Sequence, residues 1–431
     1  MTTGISYQKC LETIYGLQRF GIKLGLGVIR RVLKGLGNPQ QRYSAIHVAG
    51  TNGKGSVASA LANILQQAGY KTGLYTSPHL VRFNERICIN QREITNKAVV
   101  AAYERIKNVD TGDREPTYFE IATAMALDEF ARQQVDWAVI ETGMGGRLDA
   151  TNVLKPKLTI ITNISLEHSD YLGATIGQIA AEKAGIIKTG VPLITGARQP
   201  AAIKVIEQTA EKRSAPMYRF GRHFRVRRLI DGSFNYYGMD QRLRNLETGL
   251  AGNFQVDNSA LVLAACEMLN LKNMDISEAH LRSGLSTNRW PGRLETVSTD
   301  PLIILDGAHN LMAARNLAQY LEQTYPRRPI TLVVGILDDK PYPAMLKELL
   351  PLCRQVVFTQ PKIARALPAQ KLASIAVDTR ASTDIIDDVS RAIQHAVDTL
   401  PVDGIVCIAG SLYVVGEAKE AFEKGKIRFW R

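Results

Sequence analysis

Apolar and polar positions in the first third of the chain alternate between two periods. Tyr43–Ala49 is a short, nearly continuous apolar run and predicts a buried strand, which a glycine-rich turn follows. In Ser56–Gly69 the apolar residues Val57, Ala60, Leu61, Ile64, Leu65 and Ala68 recur at helical spacing and predict one buried helix face. Tyr118–Gln133 predicts a further helix, and Asp136–Ile140 and Lys157–Ile164 predict further buried strands. Strands separated by helices imply an α/β fold with a parallel-rich sheet and helical crossovers.

The middle of the chain changes character. Phe224–Ile230 and Ser233–Tyr237 flank Asp231-Gly232, a hairpin signal, and a helix is expected over Val256–Leu269. Pro and Gly in Arg289–Arg293 (RWPGR) mark a boundary. A second α/β pattern follows, with strands at Pro301–Leu305, Ile330–Gly335, Gln355–Thr359 and Gly404–Ala409 and a helix at Leu311–Thr324. Two domains are therefore expected, residues 1–295 and 296–431, without internal repeat or low-complexity tract.

Composition narrows the function classes. A chain of 431 residues, 45% hydrophobic and 22% charged, buries ordinary globular cores. No apolar run reaches the roughly 18 residues of a membrane span, and residues 1–18 lack a signal-peptide layout. The five cysteines are scattered without a C-x-x-C pair, which argues against a cysteine metal site or disulfide framework and fits a reducing cytoplasm. The net charge of +12 is local: Thr13–Asn84 holds nine Lys or Arg and no acid, and Lys212–Arg228 holds seven and no acid. Such fields attract anions, whether nucleic acid or ATP and a multiply carboxylated substrate.

The sharpest local signal is Gly50-Thr51-Asn52-Gly53-Lys54-Gly55-Ser56, between a predicted strand and a predicted helix. Glycines let a backbone wrap phosphate, and a helix N-terminus adds positive potential. Lys54 can then reach terminal phosphates and the Ser56 hydroxyl can ligate Mg²⁺. The spacing departs from G-x-x-x-x-G-K-[ST], because Val48 stands six before Lys54 and Gly55 separates Lys54 from Ser56. Glu141, just past one predicted strand, and His168, a few residues past another, fall on the rim where open α/β sheets bind ligands.

Eight ordered blocks, HVAGTNGKGS (47–56), YTSPHLVRFNERI (75–87), ETGMGGRLDATN (141–152), ITNISLEHSDYLG (161–173), EKAGIIK (182–188), WPGRLE (290–295), LDGAHN (305–310) and GSLY (410–413), resemble the folylpolyglutamate synthase/dihydrofolate synthase family, a branch of the Mur ligases. The resemblance implies a P-loop-type ATPase domain and a C-terminal Rossmann-like domain with the active site in the cleft between them. It implies that ATP converts a carboxylate to an acyl phosphate, which the amine of glutamate attacks. The acceptor is dihydropteroate, a reduced folate, or both, with bifunctionality favoured and a monofunctional folylpolyglutamate synthase as the alternative.

The same resemblance implies site roles. Lys54, Lys183, Asp306 and His309 are catalytic, with Lys183 carbamylated by CO₂. Gly50 to Ser56, Gln255, Asn258, Arg293 and Asp306 contact ATP, although Phe254 replaces the family's usual histidine before Gln255. Ser56 and Glu141 hold one Mg²⁺; Ser77, Glu141 and His168 surround a second metal, where the histidine nitrogen is an unusual Mg²⁺ donor. Arg86, His309 and Ser411 hold glutamate. Phe119 is assigned either to the pterin side or to the core. Potassium activation and a monomeric state are further implications.

Three rival functions share part of this pattern. A peptidoglycan-precursor ligase shares the chemistry, but SPHL, RFNERI and GSLY argue against it, as does a phosphate loop that begins by residue 50. A nucleic-acid-dependent ATPase would use the basic runs, yet no aromatic–basic alternation, helix-turn-helix or zinc signature appears. A nonenzymatic binding module would leave the loop and LDGAHN without purpose. Neither a nucleic-acid nor a membrane partner is expected, and the basic stretches are read as a field for ATP, pteroate and polyglutamate.

Overall fold

The computed structural model describes residues 5–21, 23–112, 114–376 and 379–429. The outer limits of the two expected domains, residues 1 and 431, lie outside the described residues. Two compact units emerge. The first takes the chain to His79, Phe83–Gly249 and Gln255–Arg289; the second takes Leu80–Arg82, Leu250–Phe254 and the chain from Trp290 onward.

Among the described residues, the first unit contains an eight-stranded sheet of β1 Ser44–Ala49, β2 Thr72–Tyr75, β3 Ile87–Ile89, β4 Arg92–Glu93, β5 Trp137–Glu141, β6 Leu158–Ile161, β7 Leu193–Thr195 and β8 Met217–Arg219. Their order is β4-β3-β2-β5-β1-β6-β7-β8. Six run parallel, and β3 and β4 add an antiparallel edge. Strands covered on both faces read as continuous apolar runs, which is why β1, β5 and β6 are visible as such in the sequence.

Helix α1 is Tyr7–Gly16, and α2, Lys54–Gln67, starts at Gly53, whose φ of 83° is open to glycine at little cost. Its Leu61, Ile64 and Leu65 are fully buried, each contributing about 1.5–3 kcal/mol by leaving water. Helices α3, Tyr118–Arg132, and α4, Ile176–Ala184, both begin in capping boxes, Thr117 with Glu120 and Thr175 with Gln178. Helix α5 is Asn253–Asn270.

A second sheet in this unit joins β9 Arg225–Arg228, β10 Phe234–Tyr237 and β11 Arg242–Leu246 in the order β11-β10-β9, all antiparallel. The hairpin expected around Asp231-Gly232 is present, but its strands are shorter than read, because Leu229 donates to Ser233 O and Asp231 takes the Ser233 N–H, closing a wider turn.

The second unit is built on β12 Glu295–Thr299, β13 Leu302–Leu305, β14 Ile330–Val334, β15 Cys353–Phe358, β16 Ser382–Ile385 and β17 Ile405–Ala409. Their order is β12-β13-β17-β14-β15-β16, parallel apart from β12. Helices α6, Leu311–Thr324, and α7, Leu412–Glu423, open with Asn310 and Ser411 as caps. Apolar clusters line both faces of the sheet. No helix among the described residues is long and apolar enough to cross a membrane.

Candidate active site

The turn from β1 into α2 is held from below by the end of β6. Thr51 N donates to Asn163 O at 2.9 Å, Asn52 N to Asn163 Oδ1 at 3.0 Å, and Thr162 Oγ1 to Asn52 O at 2.6 Å. The Thr51 hydroxyl accepts from Ser165 N at 3.0 Å. Gly50 has a φ of 150°, and a Cβ there would lie 1.9 Å from Thr162 Oγ1. At Gly53 a Cβ would meet Asn258 Oδ1 at 2.6 Å. Two glycines are thus required by two different neighbours.

Around it stand the polar groups. Lys54 Nζ donates to Thr51 O at 3.0 Å, which folds the lysine back over its own loop. Ser56 is buried in the first turn of α2, with Gln255 Nε2 donating to its hydroxyl at 3.3 Å. Asn258 Nδ2 donates to Gln255 Oε1 at 2.9 Å, so α5 delivers both amides to the loop as one unit. The loop therefore gathers Gly50 to Ser56, Gln255 and Asn258.

Lys183 is the group whose surroundings differ most from a surface reading of its helix. It is 3% exposed, and its amine donates to Gly50 O at 2.7 Å. Burial, then the charge of Lys54, lowers its pKa from 10.5 to about 7, against weaker opposing pulls from Glu167 and Asp149. Helix α4 is seated by the glycine block before it. Arg147 N donates to Glu182 O at 2.7 Å, and a Cβ on Gly146 would meet Lys183 O at 2.9 Å.

Glu141 occupies the last position of β5 rather than the loop beyond it, because Val48 of β1 pairs with it. Its carboxylate is buried and accepts the Ser77 N–H at 3.1 Å. Ser77 and Glu141 are thus brought together at the carboxyl ends of β2 and β5. His168 has a φ of 51° and caps the short helix Ser169–Leu172. Arg86 is buried, donates Nε–H to His79 Nδ1 at 2.7 Å and lies 5.2 Å from the Tyr118 ring centre. Phe119 lies 6.3 Å from Tyr75, ring centre to ring centre, and closes over Gly143, where a Cβ would meet it at 2.4 Å.

In the second unit, Asp306 follows β13 and is buried. Its two oxygens accept the N–H groups of Leu294 and Ala308, each at 2.9 Å. Burial raises its pKa, against the opposing charge of Arg293. Arg293 lies against Gly307, where a Cβ would be 2.3 Å from Nη1. His309 Nδ1 is 2.7 Å from Gly307 O. Ser411 accepts the Val414 N–H at 3.1 Å as the cap of α7, which uses a lone pair of its hydroxyl and not the O–H proton.

Four residues that motif chemistry does not single out shape this site: Thr162, Asn163, His79 and Asp149. Asp149 accepts from Met144 N at 2.8 Å and from Thr151 Oγ1 at 2.5 Å, while Thr151 Oγ1 is 2.8 Å from His47 Nε2, and this chain fixes the glycine block. Polar residues closing an apolar strand run, as in Ile160–Asn163, are the signal that finds the first two.

Two family profiles match in tandem: the Mur ligase middle domain over residues 48–266 and the Mur ligase glutamate ligase domain over residues 292–412. They define the class, an ATP-dependent Mur-type ligase. The chain is 38% identical over 427 residues to the dihydrofolate synthase/folylpolyglutamate synthase of Bacillus subtilis, covering 96% of this chain and 99% of that protein. E. coli FolC in complex with DHPP and ADP superposes with a TM-score of 0.90 at 30% identity, covering 98% of this chain and all, 100%, of that one. The Yersinia pestis bifunctional folylpolyglutamate synthase/dihydrofolate synthase complexed with AMPPNP and Mn ion superposes at 0.88 with 31% identity, covering 97% and 98%. The chain belongs to the dihydrofolate synthase/folylpolyglutamate synthase family.

Proposed function

We propose that this ligase serves both acceptors, adding the first glutamate to dihydropteroate and further glutamates to the glutamyl tail of a reduced folate. A carboxylate oxygen of the acceptor attacks the γ-phosphorus of ATP, giving an acyl phosphate and ADP. The glutamate amine then attacks the acyl carbon, the amide bond forms, and phosphate leaves with the C–O bond pair while the amine gives up a proton. Phosphoryl transfer of this kind needs positioning and charge neutralisation above all.

The observation that carries the reading is the convergence on one loop of a lysine over the turn (Lys54), a buried hydroxyl (Ser56) and a buried amine on a loop carbonyl (Lys183). Lys54 contacts the β- and γ-phosphates. Gln255 and Asn258 lie on the nucleotide side, as does Arg293, and Asp306 and His309 serve the phosphates and the incoming amine. Arg86, His309 and Ser411 hold glutamate, the guanidinium fork suiting a carboxylate.

The donor chemistry at the rim fits divalent metal: the Glu141 carboxylate and the Ser77 backbone are already in contact, and hydroxyl plus carboxylate oxygens suit Mg²⁺ with phosphate and water. Ser56 and Glu141 would hold one ion, and Ser77, Glu141 and His168 a second. Bound there, Mg²⁺ supplies charge neutralisation to the phosphates. Lys183 reacts with CO₂ through its neutral amine to give a carbamate and a proton. Potassium activation, a monomeric state and a cytoplasmic location complete the proposal.

The test is glutamate-dependent phosphate release from Mg·ATP, with bicarbonate and potassium present, using dihydropteroate and tetrahydrofolate separately. Release with both supports the proposal, and release with one reduces it to a monofunctional enzyme.

A further inference from the structure

The ligase site does not use the three-stranded sheet β9–β10–β11, although the second basic run of the sequence ends on it. Cross-strand register sorts its side chains. Tyr236 pairs with Val226 and Leu243, and Phe234 with Leu246, and Phe234, Tyr236, Leu243 and Leu246 are buried. The opposite face therefore carries Arg225, Tyr237 and Arg242, directly aligned across all three strands, and Arg227 opposite Asn235.

All three of these arginines are exposed, and no carboxylate among the described residues pairs with any of them. Neighbouring arginines are committed differently: Arg198 and Arg228 both bind Asp257, and Arg282 binds Glu278. The acids within residues 225–247, Asp231, Asp240 and Glu247, lie in the turns or beyond the strand ends, and Asp231 is occupied by Ser233. Arg225 is held 5.1 Å from the Tyr237 ring centre, which orders one guanidinium in advance.

The sheet is also firmly mounted. Glu267 of α5 accepts from Tyr236 Oη at 2.9 Å, Met239 N at 3.1 Å and Gln241 N at 2.8 Å. The first two turns of that same helix present Gln255 to Ser56 and Asn258 to Gly53 of the phosphate loop.

We infer that this outer face docks the poly-γ-glutamyl chain of the ligase's own longer products, an inference that rests on the proposed function. Arg225 and Arg227 are separated along the strand by roughly 6.6–6.8 Å. A γ-glutamyl unit advances roughly 6 Å, the reach of an α-residue plus two methylene bonds, and presents one carboxylate each time. Guanidinium forks suit carboxylates. Tyr237 is the one aromatic on the face among the described residues, and Arg225 covers a side of its ring, so a base-stacking platform for single-stranded nucleic acid is not formed. Each added glutamate adds one charge for this surface, so retention of product grows with tail length.

The experiment is calorimetric titration of the full chain with a γ-linked glutamate oligomer lacking the pterin, at low and high salt. An α-linked glutamate oligomer and single-stranded RNA are the comparison probes. Wild type should bind the γ-oligomer, less tightly at high salt. Arg225→Gln/Arg227→Gln/Arg242→Gln should bind about tenfold or more weakly, each exposed pair contributing a factor of about two to five. Its Tm and its activity on a monoglutamyl acceptor should match wild type. If the triple variant loses its fold, single Arg242→Glu replaces it and should still weaken binding. No binding by wild type, equal binding by the variant, or tighter binding of RNA or of the α-oligomer through the same arginines overturns the inference. The titration uses neither ATP nor folate, so a chain that ligates no acceptor yet binds the oligomer refutes the proposed function alone.

Discussion

The amine of Lys183 donates to the carbonyl of Gly50 at 2.7 Å, joining the helix after the glycine block to the first residue of the phosphate loop. The contact spans 133 positions of sequence and places a nucleophilic nitrogen in a dry site beside a second lysine. The contact helps to hold the loop, while burial and the neighbouring Lys54 decide when the amine is neutral.

With its pKa lowered to about 7, Lys183 is largely neutral at pH 8, where a surface lysine is charged. At fixed dissolved CO₂, activation by CO₂ should therefore rise as pH passes through about 7. Lys183→Ala should cost on the order of 10²-fold in turnover. The stability effect has the opposite sense. The cost of charging the buried amine is fully present below pH 7 and fades as pH rises towards 10.5, where the unfolded chain also loses its proton. Lys183→Met should accordingly raise the Tm most at pH 6 and little near pH 10. An unchanged Tm difference across that range would show that the amine is not desolvated.

Gly50→Ala should be more harmful than its size suggests. The new methyl group would lie 1.9 Å from Thr162 Oγ1, and Thr162 is the residue that donates to Asn52 O. The loop must move or that hydrogen bond must break, at about 1–3 kcal/mol. The expected kinetic sign is a KM for ATP raised on the order of tenfold, measured beside the Tm. Wild-type KM in a stable variant would mean that the loop tolerates another shape.

The sequence made much of this architecture legible. The buried runs at β1, β5, β6 and β14 announce a parallel sheet because both of their faces are covered, and α6 begins and ends where its apolar spacing predicts. Edge strands were not legible: β3 and β4 have three and two residues, too few to carry a period. In β11 charge hides a strand, since Arg242 and Arg244 alternate with a buried leucine. Glu141 falls inside β5 because pairing with Val48, not polarity, sets the strand end. The depth of Lys183 was likewise invisible, as its helix reads amphipathic and the carbonyl it meets is remote in sequence.

His79 should act through Arg86. The Arg86 Nε–H donates to Nδ1, so the ring proton sits on Nε2, towards Tyr15 Oη at 3.4 Å. Burial, and then Arg86, holds the ring pKa at about 3, so no His79 step belongs in the pH–rate profile near neutrality. His79→Ala should raise the KM for glutamate about tenfold or more, the loss of one hydrogen bond to a charged group, while His79→Asn, which keeps an acceptor, should recover part of it. A change in kcat alone, with KM for glutamate untouched, would separate Arg86 from glutamate binding.

Asp306→Asn tests whether the LDGAHN carboxylate is a structural acceptor as well as a chemical group. Its Oδ2 takes the Leu294 N–H and its Oδ1 the Ala308 N–H, both at 2.9 Å. An amide offers one oxygen and one NH₂, so one of the two buried N–H groups must face a donor, a cost of about 1–3 kcal/mol. A Tm roughly 5 °C lower is expected. Asp306 also balances Arg293, so its neutral replacement should weaken nucleotide use beyond the stability loss, visible as a raised KM for ATP at a temperature where both proteins are folded. A variant with lowered Tm and normal kinetics would confine Asp306 to the backbone contacts; one with normal Tm and lost turnover would assign it to the chemistry alone.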